Sequence, residues 1–193
     1  MKSIVVFSGS SEGNDPGILN IAYELGAVLA SRQIKLIYGA AKIGVMGRLA
    51  LGALDQQGEV VGVIPEFLKL KEVVHQDLPE LITTETMHER KLAMYELCEG
   101  VITLPGGFGT LEELLEILTW SQLGLHQKPV GLLNINGFFD PLLHMFKNMV
   151  ETGFLKQENH DLLIVENSIE GLLDKMHNYE PAWVPKWIKK EQL

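Results

Sequence analysis

The sequence contains very little cysteine: Cys98 is the only one in 193 residues. A single thiol excludes an intramolecular disulfide framework and is typical of proteins of a reducing compartment. Uninterrupted apolar stretches of about 18 residues, which a membrane-spanning helix needs, are also missing. The N-terminal segment Met1-Lys2-Ser3 leads directly into an apolar run that is too short for a secretory signal. We therefore expect a cytoplasmic protein that does not bind membranes.

Basic residues are scarce relative to acidic ones. The chain has 16 Lys and Arg against 25 Asp and Glu, which gives a formal net charge of −9. This excess of negative charge argues against a general affinity for nucleic acid, which needs a basic surface. His75 and His88 do not stand at metal-ligand spacing from Cys, Asp or Glu. The sequence therefore predicts neither a nucleic-acid partner nor a transition-metal site.

Short apolar runs alternate with longer amphipathic segments along the chain. The runs predict strands at Ser3–Ser8, Lys35–Tyr38, Val60–Ile64, Val101–Leu104 and Val130–Leu133, with weaker candidates at Leu81–Thr84 and Leu162–Val165. The segments between them predict helices at Pro16–Arg32, Val45–Gln57, His88–Leu97, Thr110–Leu123, Phe139–Thr152 and Ser168–Asn178. This alternation predicts a Rossmann-like, doubly wound α/β fold, a parallel sheet with helices on both faces. We expect one domain over residues 1–180 and a C-terminal tail over 181–193.

Three glycine-bearing turns follow predicted strands, at the sheet edge where such folds bind ligands. They contain Gly9 and Ser10, then Gly44, Met46 and Gly47, and finally the segment 105–110. Glycines in such turns also have a purely structural explanation, because the backbone needs small residues there. None of the turns is a Walker loop or a dinucleotide fingerprint. Together they favour a nucleotide or sugar-phosphate site, with an anion held at a helix that is predicted to begin at Thr110.

Arg90 lies on the apolar stripe of a predicted helix, together with Met94 and Leu97. One interpretation is a buried ion pair or a side chain that extends to the solvent. The other is a guanidinium that binds a phosphate or carboxylate in a cleft. Lys91, the next residue, either adds positive charge there or is solvated.

Glu113 has two interpretations. The spacing of Thr110 and Glu113 matches a capping box, in which the acid reaches back to the start of its helix. Alternatively, Glu113 shares a face with Ile117 and is partly buried. Burial would then raise its pKa, whereas Arg90 and the helix dipole would lower it, so the sequence leaves the net sign open. Glu112 is either a solvated acid or a ligand of sugar hydroxyls.

Three segments of the chain form a distinctive set: Met-His-Glu-Arg-Lys at 87–91, Pro-Gly-Gly-Phe-Gly-Thr-Leu-Glu-Glu at 105–113, and Trp-Ser-Gln-Leu-Gly-Leu-His-Gln-Lys-Pro-Val-Gly-Leu at 120–132. Together they resemble the LOG (Lonely Guy) family of cytokinin riboside 5′-monophosphate phosphoribohydrolases, which are often labelled lysine decarboxylases. The resemblance extends from the first predicted strand to about Phe154. The chain departs from the family at Ala40 and Ala41, where glycines are usual, and at Phe108, where tyrosine is common.

The resemblance implies a homodimer that hydrolyses the N-glycosidic bond of a purine nucleoside 5′-monophosphate to the free base and ribose 5-phosphate. It leaves open whether the base is N6-prenyladenine or adenine. Water is the second substrate, so no cofactor is expected. By resemblance, Arg90 and Glu113 form the catalytic pair. The substrate-binding positions are Glu72, Arg90, Lys91, Gly107, Phe108, Gly109, Thr110, Leu111, Glu112, Glu113 and Thr119.

Two other functions are alternatives to this hydrolase. A non-enzymatic carrier of a nucleotide or of the molybdenum cofactor would keep the glycine turns but would not need Arg90 together with Glu113. A lysine decarboxylase would need a lysine that forms a Schiff base with pyridoxal phosphate, and nothing in the sequence singles out such a lysine. The hydrolase is the function that the sequence favours.

Overall fold

The computed structural model of the chain describes residues 1–69, 74–76 and 78–181, and within them a seven-stranded parallel sheet. Its strands are β1 Ser3–Phe7, β2 Lys35–Tyr38, β3 Val60–Pro65, β4 Glu80–Thr84, β5 Gly100–Thr103, β6 Val130–Leu133 and β7 Leu163–Glu166. They lie in the order β4-β3-β2-β1-β5-β6-β7, and every neighbouring pair is parallel. The predicted strands, including both weaker candidates, are confirmed to within one residue at each end.

Among the described residues, five longer helices connect the strands and a sixth follows β7, and all six were predicted. The helices are α1 Pro16–Ser31, α2 Gly44–Asp55, α3 Glu66–Lys69, α4 Met87–Leu97, α5 Phe108–Gln122, α6 Asp140–Glu151, α7 Gln157–His160 and α8 Ile169–His177, with a 3-10 turn at Ile135–Gly137. The short elements α3, α7 and the 3-10 turn were not predicted, because a single helical turn carries no readable periodicity. Among the described residues, no helix is long and apolar enough to cross a membrane.

The sheet has a hydrophobic core on each face, because alternate residues of a strand point in opposite directions. Ile4 and Val6 of β1 face a core completed by α1, α2 and α8. Val5 and Phe7 face the other core, which is completed by α4, α5 and Phe139. The prediction of a doubly wound α/β fold with helices on both faces is therefore confirmed.

Helices α1 and α2 approach each other closely through two glycines. A Cβ atom at Gly26 would overlap the carbonyl oxygen of Leu49, and one at Gly52 would overlap the carbonyl oxygen of Tyr23. Both obstacles are backbone atoms, which a side-chain rearrangement cannot remove. This crossing holds α1 and α2, and the loops that precede them, in one position at the edge of the sheet.

The strand order reverses between β1 and β5, since the chain moves from β1 toward β4 before it returns to β5. In parallel sheets, a crevice opens at such a reversal, outside the carboxyl ends of the two strands. The loops after β1 and β5 meet there, where the N–H of Gly9 donates to the carbonyl of Pro105 at 3.1 Å. The fold thus brings the first and third glycine turns together.

Candidate active site

A cavity of about 540 Å³ lies at this crevice. Its walls are formed by the loops after β1 and β5 and by the first turns of α2, α4 and α5. The predicted site residues that line it are Gly9, Ser10, Met46, Arg90, Gly107, Phe108, Gly109, Thr110, Glu112 and Glu113. Most of the residues predicted from the third glycine turn and from the Arg90 helix therefore surround one space.

The side chain of Arg90 is buried at the edge of the sheet. Its side chain is only 10% exposed, its Nε donates to the carbonyl of Val63 at 3.0 Å, and its Nη1 donates to Oε1 of Glu113 at 3.1 Å. This position of the guanidinium requires a glycine in the loop between β2 and α2, because a Cβ atom at Gly39 would overlap Nη2 of Arg90. The first interpretation of Arg90, a buried ion pair, is confirmed; the residue also lines the cavity, and its binding of a ligand there stays a prediction.

Glu113 is buried, with 11% of its side chain exposed. Burial raises its pKa to about 7, and the positive charge of Arg90 opposes this rise. The sign that the sequence left open is therefore set by desolvation, which penalises the carboxylate more than one ion pair stabilises it. A carboxyl group with a pKa near neutrality can both accept and release a proton at physiological pH, as acid–base chemistry requires.

The capping-box interpretation of Glu113 is wrong, as is the predicted helix start at Thr110. Helix α5 begins at Phe108, its N-cap is Gly107, and no side chain caps it. Thr110 lies inside the first turn, where its hydroxyl packs against Gly106, and Glu113 bonds to Arg90 rather than to the helix start. The pattern of Thr followed by Glu misled the prediction, because the backbone turns two residues earlier, at glycines.

The N-terminus of α5 is open to the cavity. The first N–H groups of a helix have no acceptor inside it, and Gly107 has no side chain that could accept them. A Cβ atom at Gly107 or Gly109 would meet no atom within 4 Å, so packing does not require glycine at either position. The two glycines instead leave room in front of a helix of 15 residues whose dipole favours an anion.

The N-terminus of α2 is different, because the loop after β1 already occupies it. The N–H of Val45 donates to the carbonyl of Ser11 at 3.3 Å, and the N–H of Met46 donates to the carbonyl of Gly9 at 3.1 Å. Gly44, with a φ of +68°, packs against the backbone of Ser10. These bonds leave less of this helix end for an anion than at α5.

Several other predicted positions do not line the cavity. The hydroxyl of Thr119 donates to the carbonyl of Leu115 at 2.7 Å, Leu111 packs against the core, and Gly47 packs against the carbonyl of Lys42. Lys91 pairs with carboxylates on α5. Glu72 lies outside the described residues, as does the predicted tail beyond residue 181.

The two alanines that replace family glycines lie behind the cavity wall. Ala40 is fully buried and has a φ of +64°, a left-handed conformation that costs a non-glycine residue about 1–2 kcal/mol. The carbonyl of Ala40 accepts the N–H of His75 at 3.0 Å, and Ala41 bridges to Val74. Neither alanine is among the described residues that line the cavity.

An apolar wall of the cavity was missed by the sequence analysis. It consists of Ile18, Leu68, Met87 and Phe138, which come from four separate elements. Phe138 reaches the cavity because the 3-10 turn before it contains two residues with positive φ, Asn136 and Gly137. The Asn-Gly pair was a readable turn signal, but nothing local indicated where the turn would direct Phe138.

Comparison with known proteins agrees with this geometry. A family model described as possible lysine decarboxylase matches residues 46–176. The cytokinin riboside 5′-monophosphate phosphoribohydrolase LOG1 of Arabidopsis thaliana is 42% identical over 180 residues, which cover 93% of this chain and 84% of that protein. The rice protein LOG, of the same description, is 41% identical over 192 residues, or 100% of this chain and 79% of that protein. The chain belongs to the LOG family.

The fold of this LOG protein also resembles that of solved structures. The molybdenum cofactor binding protein of Rippkaea orientalis superposes with a TM-score of 0.69 and 25% identity, over 92% of this chain and 97% of that one. The likeness extends over the whole Rossmann-like layer structure. It is weaker in sequence than the likeness to the plant phosphoribohydrolases.

The family model is described as a possible lysine decarboxylase, and such enzymes commonly depend on pyridoxal phosphate. A pyridoxal-dependent decarboxylase needs a lysine at the cofactor, and no lysine is among the described residues that line the cavity. Lys91, the lysine next to Arg90 in the chain, has its ammonium group between two carboxylates. Within the described ranges, no group of three or more His, Cys, Asp or Glu side chains is placed to hold a metal ion.

Proposed function

We propose that this LOG protein hydrolyses the N-glycosidic bond of a purine nucleoside 5′-monophosphate, releasing the free base and ribose 5-phosphate. The base is N6-prenyladenine or adenine. The observation that carries the proposal is the pairing of buried Arg90 and Glu113 in a cavity that also contains the open N-terminus of α5. The names of the plant relatives, which are phosphoribohydrolases, support it.

The two halves of the cavity suit the two halves of such a substrate. A phosphate at Gly107 and Gly109 would accept N–H bonds from the first turn of α5. The apolar wall around Met87 and Phe138 would contact the base. The phosphate anchor lies remote from the bond that breaks, so its binding energy can be used to orient the sugar.

Glu113 would act at the anomeric carbon. Cleavage of the bond between C1′ and the purine nitrogen builds positive charge on the ribose and negative charge on the departing base. A carboxylate beside C1′ stabilises the ribose cation or positions the attacking water, and burial strengthens that interaction. With a pKa raised to about 7, Glu113 exchanges a proton with that water at little cost.

Arg90 would orient Glu113 and carry positive charge to the leaving base. Its Nε is held by Val63 and its Nη1 by Glu113, which uses two of the five N–H donors of a guanidinium. A fixed cation beside the departing purine offsets the negative charge that develops on it. A carrier of a nucleotide-bearing cofactor would gain nothing from the buried acid in this pair.

We also propose that the protein is a homodimer. Apolar side chains are exposed on the neighbouring helices α4 and α5: Phe108 is 94% exposed, Leu115 is 43% exposed and Leu92 is 39% exposed. Phe108 also lines the cavity, so a second copy on this surface would close its mouth. A mass near 21.5 kDa by light scattering at micromolar concentration would contradict the dimer.

The test of the hydrolase is a metal-free incubation of the purified protein with AMP and with N6-isopentenyl-AMP. Free base and ribose 5-phosphate are followed by chromatography, with Glu113→Gln as the matched inactive control. Release of both products from the prenylated nucleotide, much faster than from AMP, would support cytokinin activation. Preference for AMP would indicate a general purine nucleotide hydrolase. Tight binding without release from either would contradict the hydrolase and favour the carrier.

A further inference from the structure

The segment 120–132, one of the three that carry the family resemblance, contributes no residue to the described lining of the cavity. It begins in the last turn of α5 and continues through the loop that leads into β6. Its residues contact the C-terminal parts of α4 and α5, the two helices that carry Arg90 and Glu113. The segment is therefore placed to control how these two helices lie against each other.

Helix α4 depends on such contacts because few of its residues are buried. Only Arg90 and Met94 are buried among its 11 residues, whereas α5 buries five of 15. Helix α4 also has no basic residue in its last turn, where a cation would interact favourably with the free carbonyl groups and the negative end of the helix dipole. The position of its C-terminal end is therefore set by contacts from outside the helix.

Lys128 supplies the cation that α4 lacks. Its Nζ donates to the main-chain carbonyl of Tyr95, in the last turn of α4, and lies 3.7 Å from the centroid of the Tyr95 ring. It also lies 3.9 Å from Sγ of Cys98, the C-cap of the helix. Both the helix C-terminus and the aromatic face attract an ammonium group. Lys128 thus joins the loop before β6 to the end of α4.

His126 joins the same loop to α5. Its ring is buried, its Nδ1 accepts the main-chain N–H of Lys128 at 3.1 Å, and its Nε2 lies 2.9 Å from the carbonyl oxygen of Ile117. Because Nδ1 is an acceptor, the ring is the neutral tautomer that carries its proton on Nε2 and donates to Ile117. Burial lowers the pKa of His126, which keeps the ring in this neutral form at physiological pH.

Aromatic rings pack between these two contacts. The centroid of the Tyr95 ring lies 5.3 Å from that of Trp120 on α5, edge to face, and 5.6 Å from that of His126. Edge-to-face rings attract each other beyond the effect of their buried area. Tyr95 of α4 is therefore bound through its ring to α5 and through its carbonyl to the loop.

We infer that His126 and Lys128 form a clamp that fixes the crossing of α4 on α5 and thereby aligns Arg90 with Glu113. Both are positioning residues, since neither is among the described residues that line the cavity. The inference rests on the proposed function, in which Arg90 and Glu113 are catalytic. These two side chains come from separate helices, so their 3.1 Å contact depends on how the helices are held. A misplacement of about 1 Å in such a pair costs up to about a hundredfold in rate.

The test compares Lys128→Met with Lys128→Arg in the full chain. Methionine keeps an apolar side chain but loses the cation, whereas arginine keeps a cation that binds carbonyls and aromatic faces. Release of free base from AMP and from N6-isopentenyl-AMP gives the rates. We expect kcat to fall about tenfold to a hundredfold in Lys128→Met, with KM changed less than about twofold, and to stay within about threefold of the native value in Lys128→Arg.

A second readout does not depend on turnover. The Nε–H of Arg90 donates to the carbonyl of Val63, and its NMR signal is identified by its absence in Arg90→Lys. In Lys128→Met this proton should exchange with water about tenfold faster or more, because the guanidinium loses its fixed position. A role of Lys128 in global stability alone would leave this exchange unchanged under conditions in which the protein stays folded.

Leu172→Ala is the matched control, since Leu172 is fully buried in the core on the other face of the sheet. It should lower the melting temperature at least as much as Lys128→Met does, and leave both kcat per folded molecule and the Arg90 signal unchanged. If Lys128→Met fails to fold, His126→Gln carries the test, because glutamine keeps a donor for Ile117 but removes the ring beside Tyr95. Native kcat and native exchange in a folded clamp variant would overturn the inference.

The two readouts also separate this inference from the proposed function. Faster exchange at Arg90 in a protein that cleaves neither nucleotide would retain the clamp and reject the hydrolase. Unchanged exchange in a protein that cleaves either nucleotide would reject the clamp and retain the hydrolase, whether or not kcat falls. Faster exchange with an unchanged kcat would also overturn the inference, because the alignment of Arg90 would then not matter to the reaction.

Discussion

Nη1 of Arg90 lies 3.1 Å from Oε1 of Glu113, and the two side chains are 10% and 11% exposed. An ion pair of this kind seldom increases stability, because the cost of desolvating both charges offsets their attraction. The pair also sits in the wall of the cavity rather than deep in a core. The presence of this ion pair in the cavity wall is therefore best explained by chemistry, and the predictions below test that explanation.

Glu113→Gln should abolish most of the hydrolysis while the fold is retained. The amide keeps the shape of the side chain but cannot stabilise a ribose cation by charge or exchange a proton, so we expect kcat to fall about 10³-fold or more. Rates are measured by release of free base from AMP, and circular dichroism checks the fold. Full activity in a folded Glu113→Gln variant would remove Glu113 from the mechanism.

The free energy of unfolding should depend on pH through Glu113. Its pKa is raised in the folded state from 4.5 to about 7, so the folded protein binds the proton more tightly than the unfolded chain does. The associated stability is fully present below pH 4.5 and is lost as the pH rises through 7, a change of about 3 kcal/mol. Relative to the native protein, Glu113→Gln should therefore become more stable between pH 5 and pH 8.

Urea unfolding of both proteins at several pH values measures this difference. His126 is an opposing contribution that both proteins share: burial lowers its pKa, so stability falls as the pH drops below 6.5. Subtracting the free energy of unfolding of one protein from that of the other removes the contribution of His126. If the free energy of unfolding of Glu113→Gln minus that of the native protein stays constant or falls from pH 5 to pH 8, the pKa of Glu113 is not raised.

Gly39→Ala should reduce activity more than stability. The added methyl group would overlap Nη2 of Arg90, which can move away at modest cost because it ends a flexible side chain. The displaced guanidinium would lose its alignment with Glu113, so we expect kcat/KM to fall about tenfold to a hundredfold. Gly58→Ala is the matched control, since its methyl group would meet Ala30 and the carbonyl of Ala53, remote from the cavity. Equal activity in the two variants would show that the alignment of Arg90 with Glu113 does not depend on a glycine at position 39.

Alanine at Gly107 or Gly109 should damage binding but not the fold. Neither new methyl group would meet a protein atom within 4 Å, and within the helix Gly109→Ala adds up to about 1 kcal/mol of stability. We expect KM for AMP to rise about tenfold or more, because the methyl groups occupy the proposed phosphate position. Gly26→Ala should show the opposite result, with several kcal/mol of lost stability and an unchanged rate per folded molecule. A normal KM in Gly107→Ala and Gly109→Ala would place the phosphate elsewhere.

The sequence predicted the positions of the strands well, because hydrophobic periodicity is a local property. Apolar runs such as Val60–Pro65 are buried on both faces, and no other element type fits a run of that length and composition. Helix boundaries that lie at glycines were harder to predict. The start of α5 was placed at Thr110 because side-chain capping is readable in sequence, whereas a backbone turn at Gly107 is not.

Interactions between elements could not be predicted from the sequence. Whether burial or Arg90 controls the pKa of Glu113 depends on how α4 crosses α5, which no local pattern encodes. The contact of Lys91 with Glu116 depends on the same crossing. The sequence thus identified the chemical groups of the site, and the packing of two helices decided how they are paired.

The loop that joins β1 to α1 is held by its own main chain. Carbonyls of Gly9 and Ser11 accept N–H groups of α2, and the N–H of Gly9 is bound to Pro105. The side chains of Ser10, Ser11 and Glu12 take no part in these main-chain bonds, and the three residues are exposed and line the cavity. Substitutions at these three positions would change the lining without moving the scaffold beneath it, which makes this loop the natural place to diversify when a different nucleotide is to be accepted.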